Sequence, residues 1–397
     1  MNPLPSPDAD LHEAALAAAE AIVADIAALV EQESYSRDLP ALQQARADLR
    51  TLVVERLGEP DDEDLTADGA HGEVLTMTYR GTGSGRVLIV GHYDTVWPTG
   101  TLAGWPLTEA ADAEGRRTLS GPGIFDMKTG LAQGIWALKL LREASLPMPT
   151  VTFLFNGDEE IGSVASRPLI EKAAQDADAV LVLEATADGA VKTGRKGVGI
   201  FTVRATGVEA HAGLDPAAGA SAIHALAEFV VKAVQVADLG RGTSVNVGLI
   251  EGGSGTNVAA GSASAMLDIR VPDSAEMDRV DRELDAVTVS DPRVRIEVEH
   301  FWNRPPMAPV TPNPLLEAAR ESAREIGLAL PDVSVGGASD ANFVAALGIP
   351  VLCGMGAVGG GAHARHEHIR LEAVPRFTAL TAGTLFRLVD GLPVPRG

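Results

Sequence analysis

Arg86-Val87-Leu88-Ile89-Val90-Gly91-His92-Tyr93-Asp94 is an apolar run of strand length that ends on an imidazole and a carboxylate. Two further runs have the same form. Val151-Thr152-Phe153-Leu154-Phe155 ends at Asn156-Gly157-Asp158-Glu159-Glu160, and Val180-Leu181-Val182-Leu183 ends at Glu184. None of the three alternates apolar with polar residues, so each reads as a strand buried on both faces. A helical stretch, 128–143, separates the first two. Strands alternating with helices predict an α/β domain with a mostly parallel sheet. Ligands of such sheets collect at the carboxyl ends of the strands. His92, Glu160 and Glu184 all stand at such ends.

Working outward, 11–33 is Ala-rich, with Leu16, Ile22, Ile26, Leu29 and Val30 at helical spacing. A second helix is predicted over 40–57, stopping at Gly58, and a strand over 74–79. From about Gly197 the order changes to strand (199–205), helix (219–237), strand (244–251), strand (263–271), helix (274–287) and strand (294–300). This is the ferredoxin-like order β-α-β-β-α-β, with Ser274 read as the N-cap of its second helix. Five prolines between Asn303 and Pro314 break the pattern. A helix (315–326), the strand Val351-Leu352-Cys353, His363 and a closing helix (375–389) follow. The expected organisation is therefore a discontinuous first domain, 1–195 with 305–397, and an inserted domain, 196–304.

The chain has 397 residues, enough for two separate cores, and 46% of them are hydrophobic. Its formal net charge of -22 argues against nucleic acid and against an anionic membrane surface as partners. Cys353 is the single cysteine, so no disulfide framework forms within the chain, and its apolar neighbours predict a buried, inert thiol. Met1 to Asp10 lacks a basic start followed by an apolar stretch, which argues against a secretory signal. No apolar run reaches the about 18 residues of a membrane span. A cytoplasmic protein is expected.

Five segments end in groups that bind metals or move protons: Gly91-His92-Tyr93-Asp94, Gly121-Pro122-Gly123-Ile124-Phe125-Asp126, Asn156-Gly157-Asp158-Glu159-Glu160, Leu183-Glu184 and Gly361-Ala362-His363. Imidazole and carboxylate ligands without a thiolate cluster suit two hydrolytic zinc ions rather than a structural zinc finger. Such a site needs open coordination positions, a shared ligand holding the ions about 3.5–4 Å apart, and one carboxylate free to take a proton. His92 and Asp94 point the same way in an extended segment, so Asp94 can orient the imidazole; alone, His-x-Asp is equally a turn with an Asx bond. Asp126 follows small residues that let the backbone approach a ligand, or it is an ordinary loop aspartate. Adjacent Glu159 and Glu160 repel unless a cation compensates or one takes a proton; alone they are also a solvated pair. His366 and His368 compete with His363. For His12, His71, His224 and His300 the expected state is satisfied or solvated.

Taken together, these motifs make the chain similar to the dizinc exopeptidase family that includes glutamate carboxypeptidase, aminoacylase, acetylornithine deacetylase and succinyl-diaminopimelate desuccinylase. The resemblance covers about 15–390. It is carried by Gly-His-Tyr-Asp-Thr-Val (91–96), Gly-Pro-Gly-Ile-Phe-Asp-Met-Lys-Thr-Gly (121–130), Asn-Gly-Asp-Glu-Glu-Ile-Gly-Ser (156–163), Arg-Lys-Gly-Val-Gly (195–199), Ala-His-Ala-Gly (210–213), Gly-Gly-Ala-Ser-Asp-Ala-Asn (336–342) and 359–367. The run from Arg195 to Gly213 resembles the glutamate carboxypeptidase-like branch. Thr129 departs from the family's usual glycine.

The resemblance implies a dizinc catalytic domain with an inserted ferredoxin-like lid that also dimerises. His92 and Glu184 would bind one Zn2+, Glu160 and His363 the other, and Asp126 would bridge, with a cis peptide after it. Co2+ or Mn2+ are possible replacements. His363 is preferred because Glu367 follows it in the family's His-x-x-x-Glu pattern. Glu159 would be the general base, Asp94 would support His92, and His211 would stabilise the oxyanion, often in the partner subunit's site. Asn257, Arg270 and Arg304 would hold a substrate carboxylate, for which an arginine fork is suited. The implied activity is hydrolysis of a peptide or N-acyl amide beside a free carboxylate, carboxypeptidase-like, through a metal-bridging water. Rival readings are an N-acyl amino acid deacylase and a non-catalytic metal- or amino-acid-binding protein. The expected partners are a small carboxylate-bearing substrate and a second copy of the chain.

Overall fold

The computed structural model describes residues 7–392. The reading of Met1–Asp10 as leaderless falls partly on residues 1–6, which lie outside the described residues. The chain divides into two compact units, one running up to Thr193 and including Pro309–Ser334 and the chain from Ser339 on, the other Gly194–Ala308 with Val335–Ala338. The short segment 335–338, read from sequence as part of the first domain, thus belongs with the second.

The first unit is built on an eight-stranded sheet. Its order is Asp62–Thr66, Val74–Tyr79, Thr150–Asn156, Arg86–His92, Ala179–Val182, Val351–Cys353, Val191–Arg195 and Asp332–Val335. The four central strands, from Thr150–Asn156 to Val351–Cys353, run parallel, and the strand on each side of them, Val74–Tyr79 and Val191–Arg195, pairs antiparallel. Val87, Leu88, Ile89, Val151, Phe153, Val180 and Leu181 are buried, as uninterrupted apolar runs in a sheet covered on both faces must be. The register sets His92 opposite Asn156 and Val90 opposite Val182, which puts His92, the acidic turn after Asn156 and Glu184 at one edge.

Helix Thr129–Glu143 packs against this sheet so closely that a Cβ on Gly130 would lie 2.0 Å from the Leu183 carbonyl oxygen. The helix expected over 11–33 is two, Pro7–Ala17 and Ala19–Glu31, joined at Ala18 (φ -89°, ψ 0°). Neither proline nor glycine marks that bend in the sequence. Asp38 caps helix Leu39–Leu57, accepting from the Ala41 N–H at 3.2 Å, and Gly58 ends it at φ 77°.

A second, small antiparallel sheet escaped the sequence reading. Its order is Gly359–Gly360, His368–Arg370, Arg117–Ser120 and Thr108–Ala111. His368 pairs with both Gly360 and Ser120. The turn carrying His363 therefore ends, and the loop that leads from Ser120 to Asp126 begins, on neighbouring strands.

The second unit has strands Gly197–Thr206, Ser244–Gly252, Ser262–Val271 and Arg295–Glu299 with helices Ala222–Ala233 and Ser274–Asp285, in β-α-β-β-α-β order. The sheet runs 244–252, 262–271, 197–206, 295–299, antiparallel throughout. Phe201, Phe229, Leu267, Ile269, Val280 and Leu284 form its core. The N-cap of its second helix is Asp273, which accepts from the Glu276 N–H at 2.9 Å, and not Ser274, which is the first helical residue. A carboxylate one position earlier captures the free N–H first. Among the described residues no helix is long and apolar enough to cross a membrane.

Candidate dinuclear metal site

His92 is buried at the end of its strand, and its Nδ1 lies 3.0 Å from the Asp94 backbone oxygen. A carbonyl only accepts, so Nδ1 carries the proton and Nε2 is presented to the cluster. Nε2 stands 3.2 Å from Asp126 Oδ1 and 3.9 Å from Glu184 Oε1. On the other side, His363 Nε2 lies 3.0 Å from Glu160 Oε2 and 3.6 Å from Asp126 Oδ2. The two oxygens of Asp126 thus face two different histidines. Nitrogen and oxygen atoms of His92, Asp126 and Glu160 fall within 4.8 Å of one another, as do those of His92, Glu159 and Glu184. The peptide Asp126–Met127 is cis.

Asp94 supports more than the imidazole. Its carboxylate, fully buried, sits 3.4 Å from His92 Nδ1, farther than its own carbonyl. Oδ1 accepts from the Glu159 N–H and Oδ2 from the Glu160 N–H, each at 3.2 Å, and Ser36 Oγ donates to Oδ2 at 2.8 Å. It therefore holds the acidic turn as well as the histidine.

Sequence reasoning missed a second clamp on that turn. Asp340 accepts from Asn156 Nδ2 at 2.8 Å and from Ser163 Oγ at 2.5 Å, which lie before and after the glutamates. The only signal was Ser-Asp in the motif 336–342, with no hint of its target.

The site is dense in acidic groups. Five carboxylates, Asp94, Asp126, Glu159, Glu160 and Glu184, surround two imidazoles. Burial, with the charges of Asp126 and Asp94, pushes Glu160 up to about 7 against its hydrogen bond to His363. That bond to Glu160 lifts His363 to about 9, although burial opposes it. Burial also opposes protonation of His92, but Asp126 and Asp94 outweigh it and hold its pKa well above the usual histidine range. Burial would raise Asp126, and the two histidines pull it down instead, to about 2. The imidazole and carboxylate donors of this cluster suit Zn2+ or a similar divalent ion.

Four predicted residues lie in the second unit. His211 is exposed, and its Nδ1 accepts from the Gly213 and Leu214 N–H groups at 3.1 Å each. His211 and Asn257 are brought together on neighbouring segments, with the Ala212 N–H bonded to the Asn257 oxygen at 2.8 Å. The Arg270 guanidinium is occupied by Asp268 through two bonds of 2.8 and 2.7 Å. Arg304 is buried and donates to Asn303 Oδ1 at 2.9 Å. Among the remaining histidines, His71 and His300 pair with aspartates, and His368 Nδ1 lies 2.9 Å from the His366 oxygen. His12 departs from the satisfied or solvated expectation: its Nε2 is buried without a hydrogen-bond partner. Cys353 is buried, as expected.

Comparison with known proteins agrees with this geometry. Residues 88–387 match the family model Peptidase family M20/M25/M40. The chain is 30% identical over 389 residues to Carboxypeptidase G2 of Pseudomonas sp. (strain RS-16), covering 96% of this chain and 92% of that one. In fold it is similar to aminopeptidase PepT from Bacillus cereus ATCC 10987, with TM-score 0.77, 23% identity and coverage of 94% and 99%. It is also similar to the Bacillus subtilis YxeP protein, described as a dinuclear metal binding peptidase, with TM-score 0.64, 16% identity and coverage of 94% and 99%. The chain belongs to peptidase family M20/M25/M40 and is a metal-dependent hydrolase of amide bonds.

Proposed function

We propose that this enzyme holds two zinc ions and cleaves an amide bond next to a free carboxylate, as a carboxypeptidase. The carrying observation is the split aim of the Asp126 carboxylate, Oδ1 towards His92 and Oδ2 towards His363. In this reading His92 and Glu184 would hold one ion and Glu160 and His363 the other, with Asp126 a ligand available to both. When bound, the ions supply Lewis acidity to a scissile carbonyl and to the attacking water.

Glu159 is the general base. It sits beside His92 and Glu184 with its backbone fixed by Asp94, takes a proton from the attacking water and returns it to the departing amine. Asp94 fixes the imidazole of His92 and the turn of Glu159. His211 is the oxyanion donor. Two backbone N–H groups already engage its Nδ1, so a neutral imidazole keeps its proton on Nε2, where it can donate. Asn257, Arg270 and Arg304 are assigned to the substrate carboxylate; Arg270 must exchange Asp268 to serve. The similarity to Carboxypeptidase G2 supports a carboxylate-terminal substrate.

The same reading includes a cytoplasmic homodimer formed through the second unit, whose Leu249, Ile250 and Met266 are exposed. Light scattering giving a monomer would refute the dimer. The test of function is a substrate screen on the zinc-loaded and chelated enzyme. C-terminal dipeptides should be cleaved faster than N-acyl amino acids, and chelation should abolish both activities. Preference for N-acyl amino acids would move the assignment to deacylation, and unchanged activity after chelation would overturn it.

A further inference from the structure

Glu367 has no role in the site as assigned, yet its carboxylate is fully buried and saturated with donors. Oε1 accepts from the backbone N–H of Phe125 at 2.9 Å and of Asp126 at 3.1 Å. Oε2 accepts from the Gly123 N–H at 3.2 Å and from the Trp97 indole N–H at 2.9 Å. The loop that delivers Asp126 is thus wrapped around one side chain, and the N–H of Asp126 itself is among the contacts.

The backbone of Glu367 does a second job. Its N–H donates to the Ala364 oxygen at 2.9 Å, and the Ala364 N–H donates to the Gly361 oxygen at 2.9 Å, which closes the turn bearing His363. Its carbonyl accepts from Ser120 Oγ at 2.7 Å, at the start of the Asp126 loop. His363 itself holds a left-handed conformation, φ 60°, which a non-glycine residue adopts only when its surroundings impose it.

We propose that Glu367 is a positioning residue that sets the Asp126 carboxylate against the His363 imidazole, and so fixes the spacing of the two metal positions. A buried carboxylate is the right group for this. It accepts four bonds without offering a competing donor, and charge-assisted bonds to backbone N–H groups are about twice as strong as neutral ones. Residues that hold ligands in place typically change metal affinity by about 10–100-fold when altered. The proposal rests on Asp126 and His363 being ligands.

The test is Glu367→Gln, which keeps the volume but turns an amide NH2 towards backbone donors. Zinc affinity is measured by competition with a chromophoric chelator, the cobalt(II)-substituted protein by its visible spectrum, and the metal-free fold by circular dichroism. The variant is expected to stay folded without metal, to bind zinc about 10–100-fold more weakly, and to show an altered cobalt spectrum. Its kcat should fall while KM stays within about threefold. A folded variant with wild-type zinc affinity and an unchanged spectrum overturns the proposal, including when only its thermal stability is reduced. If Glu367→Gln does not fold, Ser120→Ala carries the test by removing one tether of the same segment. Weaker zinc binding by about 3–10-fold, for the loss of one hydrogen bond, supports the proposal, and wild-type affinity overturns it. Wild-type protein that binds no zinc fails the ligand assignment instead, a result distinct from either.

Discussion

His363 Nε2 and Glu160 Oε2 lie 3.0 Å apart, and this contact raises His363 to about 9 while burial raises Glu160 to about 7. A metal ion binds neutral imidazole and carboxylate, so loading the site at pH 7 must expel protons. Calorimetry of zinc binding in two buffers of different ionisation enthalpy should show net proton release at pH 7, declining towards pH 9. Loading without proton release would remove His363 and Glu160 from the ligand set.

The same two groups set a pH trend for the metal-free fold. Both have folded-state pKa values above their unfolded ones, so the folded chain binds more protons between the two values, and stability falls as pH rises through that interval. For Glu160 the window is 4.5 to about 7, and for His363 6.5 to about 9. His92, also raised, acts in the same direction. The Tm of the metal-free protein should therefore decline from pH 5 to pH 7, below the range in which buried Lys128, lowered to about 7, acts in the opposite direction, and added zinc should restore most of it. A metal-free Tm that climbs across this range would contradict the cluster's electrostatics.

Glu159→Gln separates base from ligand. Glu159 is close enough to His92 and Glu184 to be taken for a ligand itself. As general base, its loss should lower kcat by about 10²–10⁴-fold with both metals retained by elemental analysis. Loss of one metal equivalent would make Glu159 a ligand.

Asp340→Ala removes the acceptor for Asn156 and Ser163, both buried. Stranded buried donors cost about 1–3 kcal/mol each, so a loss of about 2–6 kcal/mol in urea unfolding is expected. Because the acidic turn is anchored there, zinc affinity should fall as well. Unchanged values of both would show that the clamp is dispensable.

Gly130→Ala places a methyl group 2.0 Å from the Leu183 oxygen, next to Glu184. Helix and strand must separate, and overpacking of this kind costs about 1–3 kcal/mol. The expected outcome is a lower Tm together with weaker zinc binding, because Glu184 moves with its strand. A variant with wild-type Tm would show that the helix can shift at no cost.

The amino-acid sequence by itself determined the parallel centre of the first unit. Uninterrupted runs such as Val87–Val90 and Val180–Leu183 have few stable settings other than a sheet covered on both faces, and residues at their carboxyl ends must then share an edge. This is why His92, Glu160 and Glu184 could be grouped before any coordinates, and why the β-α-β-β-α-β order of the second unit was readable from periodicity. Tertiary structure decided the rest. The approach of Asp126 to His363 depends on pairing between Ser120 and His368, nearly 250 residues apart, in strands of two to four residues. Strands that short carry no period, and a partner so distant leaves no local trace. The same holds for the Asp94 carboxylate gripping the acidic turn some 65 residues on: it depends on where the donors lie in space, a relationship that only the packed chain creates.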